Sequence, residues 1–488
     1  MENIKNMGRR SGKFNYNKSS WSGAIIMKVA SKKSPEVVKK AVRSVWSKVI
    51  PFPYSYGLRA HGRQFVKFYK WLMKTQWLSP EELEEIQNER LKKHIKHAYE
   101  NVPYYRRIFE ERGLKPNDIR SKEDLKLLPV LTKDDVRKHF NELIAKDSTR
   151  YEPILSHTSG STGIPLKFYL DKNNLMWESA FVSRHWAWMG TSPKEKQAVL
   201  RGAVPKSKRY FLIDGNTLIL SSFLLNFKTL NKYINAIVEF KPKLINGYPS
   251  SVQFFARLLK RKNVFSIRPK AIQTSSETLF PQMRKEIEDV FKCKVYDLYG
   301  NLEHVSMITE CSDGGFHTNQ EYAIIEFLNE KGYDAKHGEL AEMVCTGLNN
   351  FSMPLIRYKI GDIAVTTKKR CSCGRGLPLV EHLEGRIDDM IITPDGRMIP
   401  PSGMTLAFEF SENIKQCQLI QNKKDELIIN IVKSDQYGDK DHKFMLNEVR
   451  KRIGNKMKIT VNFVDDISRT KAGKLRFVIS KVKLDDVL

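Results

Sequence analysis

The sequence predicts an α/β protein. A large N-terminal domain with parallel sheets and a small barrel-like sheet is followed by a smaller, mobile α+β C-terminal domain. Three stretches carry the prediction. In 241–303, apolar strand-like runs (243–247, 269–274, 295–299) alternate with amphipathic helices (250–261, 280–291). A βαβαβ order needs crossover connections and hence a parallel sheet. Residues 323–365 are strand-rich with turns such as 327–332, which suits an antiparallel sheet or small barrel. From about 385 a third pattern begins: a strand at 426–432, a helix carrying Met445, Val449 and Ile453 with Gly454 as its stop, and a strand at 458–464.

The other elements follow in chain order. Residues 1–20 are rich in Asn, Lys, Ser, Gly and Arg and read as a solvated, disordered basic tail. Residues 21–75 are basic and aromatic and suggest short helices; 1–75 is taken as an N-terminal extension. A helix starts at Ser79, with Pro80 in its first turn and Glu82 completing a capping box. His94 and His97 on it are expected on a solvated face. Thr132 caps another helix. A later helix holds Trp177, Phe181, His185, Trp186 and Trp188. That stripe is read as core, with the wall of an apolar pocket as the alternative.

Composition narrows the class. At 41% apolar and 28% charged, the 488 residues are those of a globular protein. No stretch reaches the ~18 apolar residues of a spanning helix. The run at 23–30 contains Lys28 and makes a poor signal peptide, so the cytoplasm is expected. Six scattered cysteines fit a reducing compartment. The net charge of +28 favours anionic partners.

The densest chemistry is Thr158-Ser159-Gly160-Ser161-Thr162-Gly163-Ile164-Pro165-Leu166-Lys167, between two strand-like runs. Hydroxyls, free backbone amides and a lysine can cradle phosphate oxygens. It lacks the G-x-x-x-x-G-K-[ST] pattern, and a plain Ser/Gly turn stays open. Open parallel sheets bind ligands at the carboxyl ends of their strands. The clusters 246–248, Ser275-Ser276-Glu277 and Tyr299-Gly300-Asn301-Leu302-Glu303 are therefore expected to line one crevice.

Taken together, from about Ser79 to Arg476, these stretches resemble the adenylate-forming enzymes. The resemblance is to the branch of phenylacetate–CoA ligase and its capsular-polysaccharide relatives. Thr158 to Pro165 resembles the family's T-S-G-[ST]-T-G-x-P loop. Tyr299 to Glu303 is similar to Y-G-x-[ST]-E, with Leu302 in the Ser/Thr place. Asp362 stands in R-Y-x-x-G-D, Arg386 and Asp388 in G-R-x-[DK]-D, and Lys474 in R-T-x-x-G-K.

The resemblance implies a ligase that converts a carboxylic acid and ATP to an acyl-adenylate, then passes the acyl group to a thiol, coenzyme A being expected. It implies catalytic roles for Lys474, Glu303 and Thr162, with Glu303 holding Mg²⁺. Tyr299 stacks on adenine, Asp362 holds the ribose and Asp388 is the hinge. Thr158, Ser159, Gly160, Ser161, Gly163, Lys167, Ser276, Glu277, Gly300, Asn301 and Arg386 complete the nucleotide site. Residues 76–384 become the nucleotide- and acid-binding domain and 385–488 the lid. Tyr248, Trp186 and Trp188 are candidate walls for an aromatic or apolar acid. A homodimer is allowed, and no specific nucleic acid is expected.

Cys311, His317, Cys371 and Cys373 offer three thiols and an imidazole, a set suited to structural Zn²⁺. Some relatives resemble this sequence in carrying the same four. Two alternatives stand beside the ligase: an adenylate-forming capsule enzyme with a non-CoA acceptor, and a non-catalytic basic scaffold.

Overall fold

The computed structural model describes residues 58–158, 166–202, 210–386, 389–399, 401, 404, 407–408, 413–470 and 474–482. The expected basic tail, the loop residues Ser159, Gly160, Ser161, Thr162 and Gly163, and the hinge residue Asp388 lie outside them.

The first described element is α1 (Leu58–Thr75). It is joined to the rest by aromatic packing and buried charge. Phe68 stacks on Trp177 at 3.8 Å. Helix α2 (Pro80–Asn101) begins at the capping box expected of Ser79. The Ser79 Oγ accepts from the Glu82 amide at 3.2 Å, and Glu82 Oε2 accepts from the Ser79 amide at 2.8 Å. Leu83, Leu91, Ile95 and Ala98 form its buried face. Helices α3 (Pro103–Glu111) and α4 (Lys133–Lys138) follow, the second capped by Thr132.

His94 and His97 depart from expectation. Both are buried, at 0% and 8% exposure, because they share α2's inward face with Ile95 and Ala98. His97 Nε2 lies 2.9 Å from the Phe351 carbonyl. His94 sits edge-on to the Phe351 ring, and burial pushes its pKa down to about 3. The charged neighbours that suggested a wet surface project from the other side of the helix.

Strands β1 (Ile154–His157) and β2 (Lys167–Leu170) pair antiparallel, so the predicted loop does join two strands. Helix α5 (Lys172–Trp188) carries the aromatic stripe. Then come β3 (Gln197–Leu200), β4 (Phe211–Asp214), β5 (Thr217–Leu220), α6 (Leu230–Phe240), β6 (Leu244–Gly247), α7 (Pro249–Arg261), β7 (Ala271–Ser275), α8 (Pro281–Phe291) and β8 (Val295–Gly300). The predicted βαβαβ unit is β6-α7-β7-α8-β8, with all three strands parallel. Its core interleaves Ile245 and Ile272 with Val252, Phe255, Ile287, Val290 and Phe291. At Gly247 any Cβ would fall 2.5 Å from a Val252 methyl, so only glycine lets α7 turn back so closely.

The antiparallel strands expected from 323 onward are continuous with this sheet. They are β9 (Met307–Glu310), β10 (Phe316–Thr318), β11 (Ala323–Leu328), β12 (Leu340–Gly347), β13 (Tyr358–Thr366) and β14 (Leu379–Arg386). Among the described residues the order is β11-β12-β13-β14-β10-β9-β8-β7-β6-β3-β5-β4. A second, four-stranded sheet follows the short pair β15 (Ile391–Ile392) and β16 (Met398–Ile399). Its strands are β17 (Ile414–Lys423), β18 (Glu426–Lys433), β19 (Lys458–Phe463) and β20 (Val478–Ser480), ordered β19-β18-β17-β20. Helix α9 (Asp439–Ile453) covers it through Met445, Val449 and Ile453 and stops at Gly454, φ +80°.

One buried ion pair locks α1, α5 and the sheet together. Arg184 Nη1 donates to Glu321 Oε1 at 2.7 Å and Nη2 to Asn319 Oδ1 at 2.6 Å, while Thr75 Oγ1 donates to the same Glu321 oxygen at 2.6 Å. Both charged side chains are essentially inaccessible. Arg184→Met would strand a buried carboxylate. It should cost about 3–5 kcal/mol, read as a lower urea midpoint with an unchanged slope. A loss below about 1 kcal/mol would remove the pair's structural role.

Candidate active site

Parallel strands β3, β6, β7 and β8 end on one edge of the sheet, and a cleft of about 1480 Å³ opens there against Thr470 and residues 474–478. It brings together Thr158, Ser276, Glu277, Tyr299, Gly300, Asp362, Arg386 and Lys474, all singled out in the sequence. Lys167 is exposed at the start of β2 and lies outside the cleft lining. Thr158 closes the hairpin base: its Oγ1 accepts from the Leu166 amide at 3.0 Å.

Asp362 is the electrostatic centre. Its Oδ2 accepts the Tyr299 hydroxyl at 2.5 Å, and its Oδ1 lies 3.3 Å from Arg386 Nε. Adjacent strands make this possible, since β13 and β14 pair Asp362 directly with Arg386. Burial and the Asp362 charge push the Tyr299 hydroxyl well above its usual range. Arg357 immediately precedes β13. It forks onto Glu326 at 3.0 and 2.8 Å and donates to the Leu128 carbonyl at 2.6 Å.

Glu303 is buried behind this group and accepts the Tyr358 hydroxyl at 3.0 Å. Burial raises its pKa, opposed by Lys133, the Tyr358 bond and Arg386. A carboxylate desolvated in this way gains from a nearby cation, and a single carboxylate plus phosphate oxygens is a common Mg²⁺ set. Asn301 has a local task instead: Oδ1 accepts from the Val305 amide at 3.0 Å and Nδ2 donates to Ser306 Oγ at 2.6 Å. Leu302 is exposed.

Lys474 enters from the C-terminal segment. Its loop base is pinned by Thr470, whose amide donates to the Lys474 carbonyl at 2.9 Å and whose Oγ1 accepts from the Lys474 amide at 3.1 Å. The ammonium lies 5.9 Å from the Tyr248 ring centroid. Burial, then the Arg386 and Arg201 charges, push its pKa down to about 8, with Glu277 and Asp362 opposing. The segment is held by Glu277. One carboxylate oxygen accepts from the Leu475 amide at 2.8 Å and from Ser250 Oγ at 3.1 Å, and the other from the Ser250 amide at 3.0 Å. Glu277 thus works on protein, where nucleotide binding was expected. Beside it Ser276 adopts φ +72°, a left-handed turn that ends β7 at the cleft. Near the hinge position, Arg476 pairs with Asp389 at 2.5 Å.

Several residues here escaped the sequence. Arg201, just after β3, donates to Ser275 Oγ at 2.6 Å and lies 5.1 Å from the Tyr248 ring. The short apolar run 197–200 was its only signal. Arg469 donates to Ser250 Oγ at 3.0 Å. The stripe on α5 is core: His185 bonds the Glu310 carbonyl and Gln273, and Trp186 Nε1 donates to Gln273 Oε1 at 3.1 Å.

Away from the cleft, β9, β10 and the turn before β14 converge Cys311, His317, Cys371 and Cys373, whose ligand atoms all lie within 4.8 Å of one another. His317 Nδ1 meets the Leu377 carbonyl at 2.9 Å, leaving Nε2 toward the thiols, 3.3 Å from Cys373 Sγ. At Gly315 a Cβ would fall 2.7 Å from Cys371 Sγ. The donor set and the cleared space fit a tetrahedral zinc ion.

Comparison with known proteins agrees with this architecture. Residues 391–481 match the CapK C-terminal domain family. Protein CapK of Staphylococcus aureus is 28% identical over 414 residues, covering 82% of this chain and 90% of its own. Phenylacetate-coenzyme A ligase of Thermus thermophilus is 26% identical over 441 residues, covering 82% and 97%. A crystal structure of 2-hydroxyisobutyryl-CoA ligase in the postadenylation state, in complex with R3-HIB-AMP, superposes with a TM-score of 0.69. Its identity is 21%, over 84% of this chain and 92% of that one.

The chain thus shares its fold with the superposed 2-hydroxyisobutyryl-CoA ligase. By sequence it is similar to phenylacetate-coenzyme A ligases and to Protein CapK.

The docking of Leu475 onto Glu277 is testable on the protein alone. Glu277→Ala removes the acceptor of the Leu475 amide. Hydrogen–deuterium exchange at that amide should quicken roughly tenfold to hundredfold, as expected for losing a bond to a buried charge. Unchanged exchange would mean that other contacts hold the segment.

Proposed function

We propose that the protein is an AMP-forming acid–thiol ligase that activates a carboxylic acid with ATP and passes the acyl group to coenzyme A. The observation that carries this reading is Lys474 in the cleft, its ammonium near Arg386 and Asp362 and beside Tyr248. The names of the Thermus relative and the superposed ligase support it.

A substrate carboxylate oxygen attacks the α-phosphorus of ATP. The bond from that phosphorus to the bridging oxygen breaks, and pyrophosphate leaves. The protein supplies alignment and positive charge more than a nucleophile. Asp362 holds the ribose hydroxyls, and Tyr299, fixed by its bond to Asp362, forms the adenine wall. Loop 158–163 offers hydroxyls, Thr162 among them, and amides to the β- and γ-phosphates. Lys474 neutralises charge that develops on the α-phosphate and acyl oxygen. Glu303 would hold Mg²⁺, which when bound would add positive charge against the phosphates. In the second half-reaction the thiolate of coenzyme A attacks the acyl carbon and AMP leaves. Residues 385–488 move as a lid about Asp388, withdrawing Lys474. We place the protein in the cytoplasm; no helix among the described residues is long and apolar enough to cross a membrane.

The match of 391–481 to CapK supports a second reading in which the acceptor is a sugar or amine of surface polysaccharide synthesis. It shares the first half-reaction. Carboxylate-dependent ATP–pyrophosphate exchange therefore tests both against a non-catalytic scaffold, and silence with a broad acid library would support the scaffold.

Lys474→Ala should lower that exchange by about 10²-fold or more, the scale of losing one charge-stabilising group. Thioester formation from preformed acyl-adenylate should be spared. Equal loss in both half-reactions would remove the assignment. The lysine is charged below its pKa of about 8 and neutral above it. Exchange kcat/KM should therefore fall as pH rises through about 8, and Lys474→Gln should lack that limb.

The four-residue cluster is read as a structural zinc site. Metal analysis should give about one zinc per chain, and Cys371→Ser should lose the metal and lower the melting temperature. A metal-free, equally stable wild type would rule zinc out.

A further inference from the structure

The turn that carries Cys371 and Cys373 is seated on the junction between α1 and α2, and Arg375 makes the contact. Its guanidinium carbon lies 4.8 Å from the Trp77 ring centroid and 4.3 Å from that of Trp188, so one cation meets two indoles. Its Nε donates to Gln76 Oε1 at 3.3 Å, the oxygen that also accepts Trp188 Nε1 at 2.6 Å. The same residue turns back to the cysteines: its amide and its guanidinium both hydrogen-bond Cys373. One step on, Gly376 lies so close to the Leu78 carbonyl that any Cβ there would collide with it.

Charge gives this bridge a purpose. Three thiolates and a neutral imidazole around Zn²⁺ leave one net negative charge. A partly desolvated anion of that kind is favoured by a cation within hydrogen-bond reach. Arg375 supplies one that stays protonated and planar. A second path runs beside it, since the Trp188 ring stands edge-on to His317 at 5.7 Å. Cys311, Cys371 and Cys373 also share an apolar cluster with Leu78, Leu83 and Trp188. Thr75, the last residue of α1, donates to Glu321, so the junction leads directly into the buried ion pair.

We propose that Arg375 is a determinant of metal binding that couples zinc at the four-residue cluster to the seating of the 76–79 turn. The ion then orders the α1–α2 junction as well as the strands that carry its ligands. This rests on the zinc reading and deepens it. Coupling of this kind is reciprocal: the factor by which a seated turn tightens zinc is the factor by which zinc steadies the turn.

The test is equilibrium competition of the full chain for zinc against a chromophoric chelator, read together with hydrogen–deuterium exchange at the Trp77 and Leu78 amides. Those amides bond the Lys74 and Thr75 carbonyls at 3.2 and 3.0 Å and report on the turn. Arg375→Met should weaken zinc binding by about 10- to 100-fold, the usual loss on removing a partner of a metal ligand. Stripping zinc from the wild type should speed exchange at both amides by about the same factor, and Arg375→Met should exchange fast with or without zinc. Arg375→Lys keeps the charge and should recover part of the affinity. The amides of α7 should exchange alike in every form; fast exchange there in Arg375→Met means general unfolding and overturns the local coupling. Zinc affinity in Arg375→Met within about threefold of wild type, or wild-type exchange indifferent to zinc, overturns the inference and leaves the zinc site standing. A wild type that binds no zinc overturns both.

Discussion

The amide of Leu475 donates to the buried carboxylate of Glu277, and that bond fixes where the neighbouring Lys474 stands. Glu277 is itself placed by the left-handed turn at Ser276, which ends β7, and by two bonds from Ser250 at the start of α7. The large sheet thereby reads the position of a segment almost two hundred residues later in the chain. Burial raises the Glu277 pKa, while the bonds from Ser250 and Leu475 and the charge of Arg469 favour its anion. The contact is therefore stable only as a set: without the segment, a desolvated carboxylate loses a donor. This couples the order of the C-terminal segment to the integrity of the strand edge.

Around that anchor, cations gather faster than the protein's own anions answer them. Arg386 and Asp362 pair, Tyr299 takes the second Asp362 oxygen, and Lys474 is left with a lowered pKa near Arg386 and Arg201. Such a site is electrostatically incomplete. In the proposed reaction the phosphates of ATP supply the negative charge that this cluster lacks. The distant cysteine–histidine cluster has a different job. It joins β9, β10 and the turn before β14 to the apolar side of α2 through Leu83 and Trp188.

What could be read from the sequence follows sequence distance. The βαβαβ unit was legible because each element shows its own periodicity, and the caps at Ser79 and Thr132 are local chemistry. The motif residues Tyr299, Asp362, Arg386 and Lys474 were legible as a resemblance, and they do share one cleft. Their mutual contacts were not, because Tyr299–Asp362 and Glu277–Leu475 bonds depend on strand pairing and docking across the fold. Arg201 was missed because a four-residue strand has too short a pattern to stand out. His94 and His97 were misjudged because charged neighbours outweighed the one-sided apolar spacing of α2. The same spacing argument places Trp186 in the core, where an apolar substrate wall had seemed open.

The closeness of Lys474 to Arg386 and Arg201 has a consequence for timing. In the proposed reaction, ATP brings in the negative charge that makes this crowding tolerable, and pyrophosphate carries most of it away. What remains is an acyl-adenylate with a single anionic phosphate beside Lys474, Arg201 and the Arg386–Asp362 pair. In the proposed reaction, loss of that negative charge would favour outward movement of the lysine-bearing segment once its work is finished. On the proposed reaction, the departure of pyrophosphate would itself be the step that times the change between the two half-reactions.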